Sequence, residues 1–201
     1  MIPGARKARK IGAAERLAQL AAQIRVCVKC PLHESRTVAV PGDGRPSARF
    51  MIIGEAPGKD EDKTGHPFVG AAGRYLDHVL AGSGIERSDF FITNMVKCRP
   101  EANRTPRAGE IETCTANYLF QQIELVDPKL ILLLGLVAVK KMLGLRTVDE
   151  ARGRIIEAHG RECMATYHPA ARFYREDLAK KIEADFSLFK REAARWVGGK
   201  K

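Results

Sequence analysis

Short runs of apolar residues, each followed by a polar loop, constrain most strongly what this chain can fold into. Three of them are Phe50–Ile53, Phe90–Ile92 and Leu130–Leu134. None alternates polar with apolar residues, which is typical of strands that are covered on both faces in a parallel sheet. A fourth strand is expected at Arg161–Thr166. The sequence therefore predicts a central, mostly parallel sheet of four strands.

Helical patterns separate the predicted strands. A first helix is expected over Ala13–Val26, and another helix follows the second strand, with Thr105 as its N-cap and Pro106 in its first turn. Because strand and helix alternate along the 201 residues, we expect an α/β fold with one domain, built as a three-layer α/β/α sandwich. A basic arm at 1–12 and a tail at 198–201 are expected to be flexible.

The charge of the chain indicates a polyanionic partner. There are 34 Lys and Arg residues against 24 Asp and Glu, a formal net charge of +10. Nucleic acid is the first candidate, because neutralising phosphates is a general reason for a basic small protein. No apolar run approaches the roughly 18 residues that a membrane span needs, and no apolar stretch follows the basic start. We therefore expect a cytoplasmic protein without a membrane partner, and nothing indicates an obligate oligomer, so we expect a monomer.

Four of the five cysteines have a spacing along the chain that is typical of metal ligands. Cys27 and Cys30 form a C-x2-C pair, and Cys98 and Cys114 follow far along the chain. Folding could bring these four thiolates around a metal or an iron–sulfur cluster. An odd cysteine count without a signal peptide favours a reducing compartment, where cysteines bind metal. The alternative is that small cysteines fill core positions, and Cys163, in an apolar stretch, is expected to do so.

Polar residues that could bind a ligand or take part in catalysis follow three of the predicted strands. Glu55 comes after the first strand, Asn94 after the second and His168 after the fourth. Ligands of open α/β sheets bind at the carboxyl ends of the strands, so these side chains are expected to converge. Phe68, in a loop rich in small residues, could form a stacking floor. Taken singly, each has an ordinary alternative: a turn asparagine, a structural histidine, a core phenylalanine, or, for Glu61, a solvated loop charge.

The motifs together resemble the family 4 uracil-DNA glycosylases, the iron–sulfur branch of that superfamily. They are the cysteine set, G-E-A-P-G with the acids after it, H-P-F-V-G-A-A-G, T-N-x-V-K-C-R-P and Y-H-P-A-A, in that order along roughly Cys27 to Asp185. The resemblance implies the uracil-DNA glycosylase fold and a [4Fe–4S] cluster with a structural role. Its expected ligands are Cys27, Cys30, Cys98 and Cys114.

The resemblance also implies roles for the residues at the strand ends. Uracil would be flipped out of DNA into the pocket. Phe68 would stack on it, Asn94 would bind its O4/N3 edge, and backbone amides at Glu55 and Ala56 would meet O2. His168 would donate to O2 as the glycosidic bond breaks.

Three positions depart from the best-known members of the superfamily. Ala56 stands where they have a water-activating aspartate, so Glu55 or Glu61 would position the water. Gly58 stands where a tyrosine excludes thymine, which leaves Glu61 as the expected barrier. Arg172 stands where an apolar wedge usually fills the gap left by the flipped base, so either Arg172 or the next residue, Phe173, would fill that gap.

The expected function is therefore a DNA-repair hydrolase. It would release free uracil from single- or double-stranded DNA and leave an abasic site. The alternative is a catalytically altered nucleic-acid-binding or uracil-capturing relative with a structural cluster. Retention of both Asn94 and His168 argues against a mere binding module. The short segment Arg99–Pro106 lacks the added loop of the capturing type.

Overall fold

A five-stranded sheet forms the centre of the protein, whose computed structural model describes residues 11–197. The strands are β1 Phe50–Gly54, β2 Phe90–Asn94, β3 Leu130–Leu134, β4 Ile156–Ala158 and β5 Arg161–Thr166. They lie in the order β2-β1-β3-β5-β4, and all neighbours are parallel except β4 and β5.

The prediction of four strands was one strand short. The additional strand β4 has three residues and pairs antiparallel with β5 at the edge of the sheet. Its tight connection runs through His159 and Gly160, both with positive φ. Because none of the β4 residues is buried, the strand shows no apolar run by which sequence reasoning could find it.

Eight α-helices flank the sheet in the described part of the chain. They are α1 Ala13–Arg25, α2 Leu32–Ser35, α3 Lys59–Thr64, α4 Ala71–Gly82, α5 Ala108–Cys114, α6 Phe120–Val126, α7 Leu136–Leu143 and α8 Asp177–Val197. A π-helical turn, Thr115–Leu119, joins α5 to α6.

The start of α5 differs from the prediction. The helix begins at Ala108 with Arg107 at the N-cap position, and not at Thr105 and Pro106. The Glu110 carboxylate accepts a hydrogen bond from the Arg107 amide at 2.7 Å, which caps the first turn. A downstream glutamate therefore sets the helix start.

The sheet is covered on both faces, as predicted. Alternate residues of a strand point to opposite faces, so Ile53 and Leu133 pack on one side and Ile52 and Leu132 on the other. Helices α1, α6 and α7 contribute to the first apolar layer. Helices α4 and α8 contribute to the second. The resulting three layers leave the carboxyl ends of the strands open for a site.

The end of β5 is tied to α8 by a hydrogen bond to Asp185, which also forms a half-buried ion pair with Arg152. Arg152 donates to both carboxylate oxygens of Asp185 at 3.1 and 3.0 Å, and the Thr166 hydroxyl donates to Asp185 at 2.7 Å. Asp185 is buried, and its desolvation raises the pKa of that carboxyl despite these partners. The network fixes the point from which the chain continues to His168.

Among residues 11–197, no helix is both long and apolar enough to cross a membrane. The expected basic arm, apart from residues 11 and 12, lies outside the described residues, as does the tail 198–201.

Candidate active site

A cavity of about 420 Å³ opens at the carboxyl ends of β1, β2 and β5. It is lined by every residue expected to bind substrate or to act in catalysis, namely Glu55, Ala56, Glu61, Phe68, Asn94 and His168. The convergence predicted from the strand ends is therefore present in the structure.

Asn94 lies at the floor of the cavity with a free acceptor. It is the last residue of β2 and is 1% exposed, and its Oδ1 has no hydrogen-bond partner among the described residues. Gly54 lies opposite in the β1–β2 register. A Cβ at Gly54 would lie 2.4 Å from Oδ1 of Asn94. A buried amide oxygen without a partner is costly, so this arrangement is typical of a site for a ligand donor.

The Phe68 ring forms one wall of the cavity. Its backbone has a φ of 54°, in the left-handed region that phenylalanine rarely adopts. Gly73 of α4 permits this turn, because a Cβ there would lie 1.9 Å from the carbonyl oxygen of Phe68. The ring stacks against the His168 imidazole, with centroids 5.7 Å apart. The expected stacking residue and the expected donor are thus direct neighbours.

His168 is held as a neutral imidazole. Its Nδ1 accepts a hydrogen bond from the Ala170 amide at 3.2 Å, which leaves Nε2 to carry the proton. Burial lowers the pKa of His168 to about 4, although the Glu61 carboxylate acts in the opposite direction. At neutral pH the ring is therefore a hydrogen-bond donor without a charge.

Glu61 is buried in α3 and is not a solvated loop charge. Its carboxylate accepts three backbone hydrogen bonds, from Gly58 at 3.1 Å and from Val69 and Gly70 at 2.8 Å each. The side chain therefore ties α3 to the turn that carries Phe68.

Glu55 is half-buried at the rim and has a different environment. Burial raises the pKa of its carboxyl, and a hydrogen bond from Thr105 partly offsets that effect. The backbone carbonyl of Glu55 accepts from Val96 at 3.2 Å, which joins the β1 and β2 loops.

The segment after His168 carries both expected wedge residues, Arg172 and Phe173, but neither of them lines the cavity. The guanidinium of Arg172 lies 4.3 Å from the centroid of the Tyr75 ring, whereas Phe173 is 52% exposed. Tyr174 lines the cavity and is 88% exposed. Sequence reasoning missed Tyr174 as a lining residue, although its position directly after the two expected wedge residues was a usable signal.

Arg104 is a second lining residue that sequence reasoning missed. Its guanidinium binds both carboxylate oxygens of Glu110, at 2.9 and 2.7 Å, which holds it beside the opening. Neither its neighbours in sequence nor its spacing from other motifs gave a signal, because the pairing depends on how α5 packs.

The four predicted cysteine ligands line a second, small cavity, together with Lys29, Arg36, Lys97 and Tyr118 among other residues. Cys27, Cys30, Cys98 and Cys114 are all free thiols. Arg36 donates to the Cys98 sulfur at 3.0 Å, and the Lys29 amide donates to the Cys27 sulfur at 3.4 Å. These donors suit thiolates.

In residues 11–197, no group of three or more His, Cys, Asp or Glu side chains is placed to hold one metal ion, although the four thiols line the same void. Burial raises the pKa of the Cys114 thiol to about 12, so a bound metal would be needed to keep it deprotonated. Cys163, by contrast, is buried in the sheet core, as expected.

Comparisons with known proteins agree with this geometry. The family model described as the uracil DNA glycosylase superfamily matches residues 41–193. A type-4 uracil-DNA glycosylase of Archaeoglobus fulgidus is 41% identical over 181 residues, 86% of this chain and 90% of the relative. One of Pyrobaculum aerophilum is 44% identical over 176 residues, 83% of this chain and 89% of the relative.

A type-5 uracil-DNA glycosylase of Pyrobaculum aerophilum is less similar. It is 33% identical over 149 residues, 65% of each chain. The type-4 relatives have the higher identity and the longer coverage, and the family model matches most of this chain. The chain therefore belongs to the uracil-DNA glycosylase superfamily, in its type-4 family.

Proposed function

We propose that this protein excises uracil from DNA by hydrolysing the N-glycosidic bond, as a step of base-excision repair. The observation that carries the proposal is the buried, unpartnered Asn94 oxygen in a cavity that also presents Phe68 and His168. The relatives named type-4 uracil-DNA glycosylase support the same activity. They do not favour the alternative of a catalytically altered relative.

Base recognition follows from the hydrogen-bonding pattern of Asn94. Uracil presents a donor at N3 and an acceptor at O4, which match the oxygen and the nitrogen of one amide. Cytosine presents an acceptor and a donor at the same places, so a fixed amide rejects it. The target base would have to leave the DNA stack to reach this buried edge.

Bond cleavage needs stabilisation of the charge that develops on the leaving uracil. Neutral His168 offers its Nε2 proton to O2, with the backbone amides at Glu55 and Ala56 close to the same oxygen. A neutral donor suits this task, because it can stabilise the developing charge through a hydrogen bond without transferring its proton to the leaving base. Phe68 would hold the ring in plane.

The two carboxylates are proposed to have different tasks. Glu55, half-buried at the rim, would position the water that attacks the sugar. Glu61 would keep Gly58 and the Phe68 turn close to the C5 edge of the base and so exclude the thymine methyl group. Three backbone donors occupy the Glu61 carboxylate, which supports the second role over water activation.

We propose a [4Fe–4S] cluster held by Cys27, Cys30, Cys98 and Cys114. When bound, the cluster would supply a covalent link between the segment after α1, the loop after β2 and helix α5. Four free thiols suit a reducing, intracellular location.

DNA contact is assigned to the mouth of the cavity and to the basic charge of the chain. Arg172 would stay on the Tyr75 ring, and the exposed apolar ring of Phe173 would enter the gap left by the flipped base. A monomer suffices for this arrangement, because the proposed site is built from one chain.

The test is an excision assay with anaerobically purified protein. A labelled oligonucleotide with one uracil is incubated with the enzyme and then treated with alkali, beside thymine and cytosine controls. We expect cleavage at uracil alone. Asn94→Ala should lose at least about 100-fold in rate while keeping salt-sensitive DNA binding. Gln121→Ala, an exposed amide on α6, serves as the matched control. A wild-type protein that holds its cluster and binds DNA but does not cleave would overturn the proposal.

A further inference from the structure

Lys97 is a buried cation directly beneath the candidate active site. It is 1% exposed and follows Asn94 by three residues. Its Nζ donates to Thr93 Oγ1 at 2.6 Å, to the Asn94 carbonyl at 2.7 Å and to Gln122 Oε1 at 2.7 Å. An ammonium has three donors, so this one is fully satisfied inside the protein. Such a cation has a defined partner for every proton and no contact with solvent.

Two of the three partners of Lys97 also donate to a single carbonyl group. Thr93 Oγ1 donates to the Pro41 carbonyl at 3.0 Å, and Gln122 Nε2 donates to it at 2.7 Å. The hydroxyl and the amide oxygen thus accept from the ammonium, the amide nitrogen donates to Pro41, and the hydroxyl lies within donating distance of Pro41 and, at 3.3 Å, of Gln122 Oε1. The network therefore joins β2, α6 and the loop before β1 in a single arrangement.

The side-chain amide of Asn94 depends on this arrangement. Its oxygen has no protein partner in the described residues, so no side-chain contact at that atom orients it. Its orientation therefore depends on packing against Gly54 and on the backbone of Asn94, and Lys97 holds that backbone at the carbonyl. The next amide, Met95, donates to Gly54 at 2.9 Å on the other side. The residue is thus held between strand β1 and the buried ammonium.

We propose that Lys97 is a positioning residue for base recognition, which holds the Asn94 side chain in the orientation that binds the edge of uracil. This inference rests on the proposed function and extends it to a residue that does not touch substrate. A hydrogen bond to a charged donor is strong enough for its loss to change the rate by about 10- to 100-fold.

Lys97 also lines the cysteine cavity, which raises a purely structural alternative. Its removal could weaken the protein or the cluster without any specific effect on Asn94. A test therefore needs a readout that only the path through Asn94 changes.

The experiment is a double-mutant cycle with wild type, Lys97→Met, Asn94→Ala and the double variant. The readout is the affinity for an oligonucleotide with 2′-fluoro-2′-deoxyuridine, which resists cleavage, relative to the same oligonucleotide with thymidine. We expect Lys97→Met to lower this ratio by about 10-fold or more in the wild-type background. In the Asn94→Ala background it should change the ratio by less than about 3-fold, since the two residues act in series.

Iron content and the melting temperature are measured for all four proteins. If Lys97→Met does not fold, Thr93→Val replaces it, because this variant removes one acceptor of the ammonium and keeps the shape. Thr93→Ser, which keeps the hydroxyl, should retain the wild-type ratio.

An equal loss in both backgrounds, or no loss in wild type, would overturn the role of Lys97. Failure of the wild type to prefer uracil or to cleave it would instead overturn the proposed function. The two failures are therefore distinguishable.

Discussion

The hydrogen bond from the Ala170 amide to Nδ1 of His168 determines which ring nitrogen carries the proton that the imidazole offers to a ligand. Together with burial, it keeps the ring neutral and leaves Nε2 as the donor. The residue type was predictable from the Y-H-P-A-A motif. The tautomer was not, because it depends on where the chain turns after Pro169.

The ionisation of His168 should therefore lie well below the usual histidine range. Its pKa is lowered to about 4 in the folded protein, against about 6.5 in the unfolded chain. We expect the single-turnover excision rate to show no inflection near pH 6.5. An NMR titration of the ring nitrogens, assigned with His168→Asn, checks the value directly, and a midpoint near 6.5 would contradict it.

The same shift has a consequence for stability. Between pH 6.5 and 4 the unfolded state binds more protons than the folded state at this residue. The contribution of neutral His168 to stability is thus present above pH 6.5 and is lost as the pH falls through this window. Denaturation of wild type and His168→Asn across that range should show a smaller pH dependence in the variant.

Gly54 leaves the space that Asn94 and Phe68 need. A Cβ there would lie 2.4 Å from the Asn94 oxygen and 2.7 Å from the Phe68 ring. We expect Gly54→Ala to lower the excision rate by about 100-fold, because displacement by about 1 Å is enough for that loss. Gly82→Ala is the matched control, since a Cβ there meets nothing within 4 Å. Comparable activity of the two variants would contradict this reading of the pocket floor.

At the scale of elements, the turn before α4 determines the position of Phe68. Gly73 packs directly on the Phe68 carbonyl, and no side chain fits there without movement of the backbone. We expect Gly73→Ala to displace the ring and to cost about 1–3 kcal/mol, equivalent to about 3–10 °C in melting temperature.

The control for Gly73→Ala is Gly109→Ala, a helical glycine in α5 at which a Cβ would meet nothing within 4 Å. It should keep or raise the melting temperature, because alanine has the higher helix propensity. Thermal denaturation and the excision assay test both variants together. A Gly73→Ala protein with normal stability and rate would show that the turn can relax at little cost.

Elements with a strong local signal were predictable, and those set by packing were not. The apolar runs of β1, β2, β3 and β5 were found from sequence because burial on both faces requires them. Strand β4 has no buried residue, and the start of α5 is decided by Glu110 and not by Pro106. Glu61 was predictable as an important acid, but its three backbone partners come together only when α3 meets the Phe68 turn.

At the scale of the whole molecule, the cavity lined by the four cysteines lies between segments that are distant in sequence. Cys98→Ser should remove most of the iron–sulfur absorbance and lower the melting temperature by on the order of 10 °C, because cluster binding energy is folding energy. Limited proteolysis should then cut first in the segment that contains α1 and α2. Cys163→Ala, in the core of the sheet, should keep its full iron content. Full iron in Cys98→Ser would show that this ligand assignment is wrong.

The sequence by itself determined the layered α/β architecture, the rim of the sheet that holds the candidate site and six of the residues that line it, but not Arg104 or Tyr174. Those features depend on apolar periodicity and short motifs, which are local. Only the tertiary structure decided the ionisation of His168, the anchoring of Glu61, the ion pair of Arg104 and the buried contacts of Lys97. These depend on burial and on partners from other elements. Desolvation and hydrogen-bond geometry arise only when distant segments pack together.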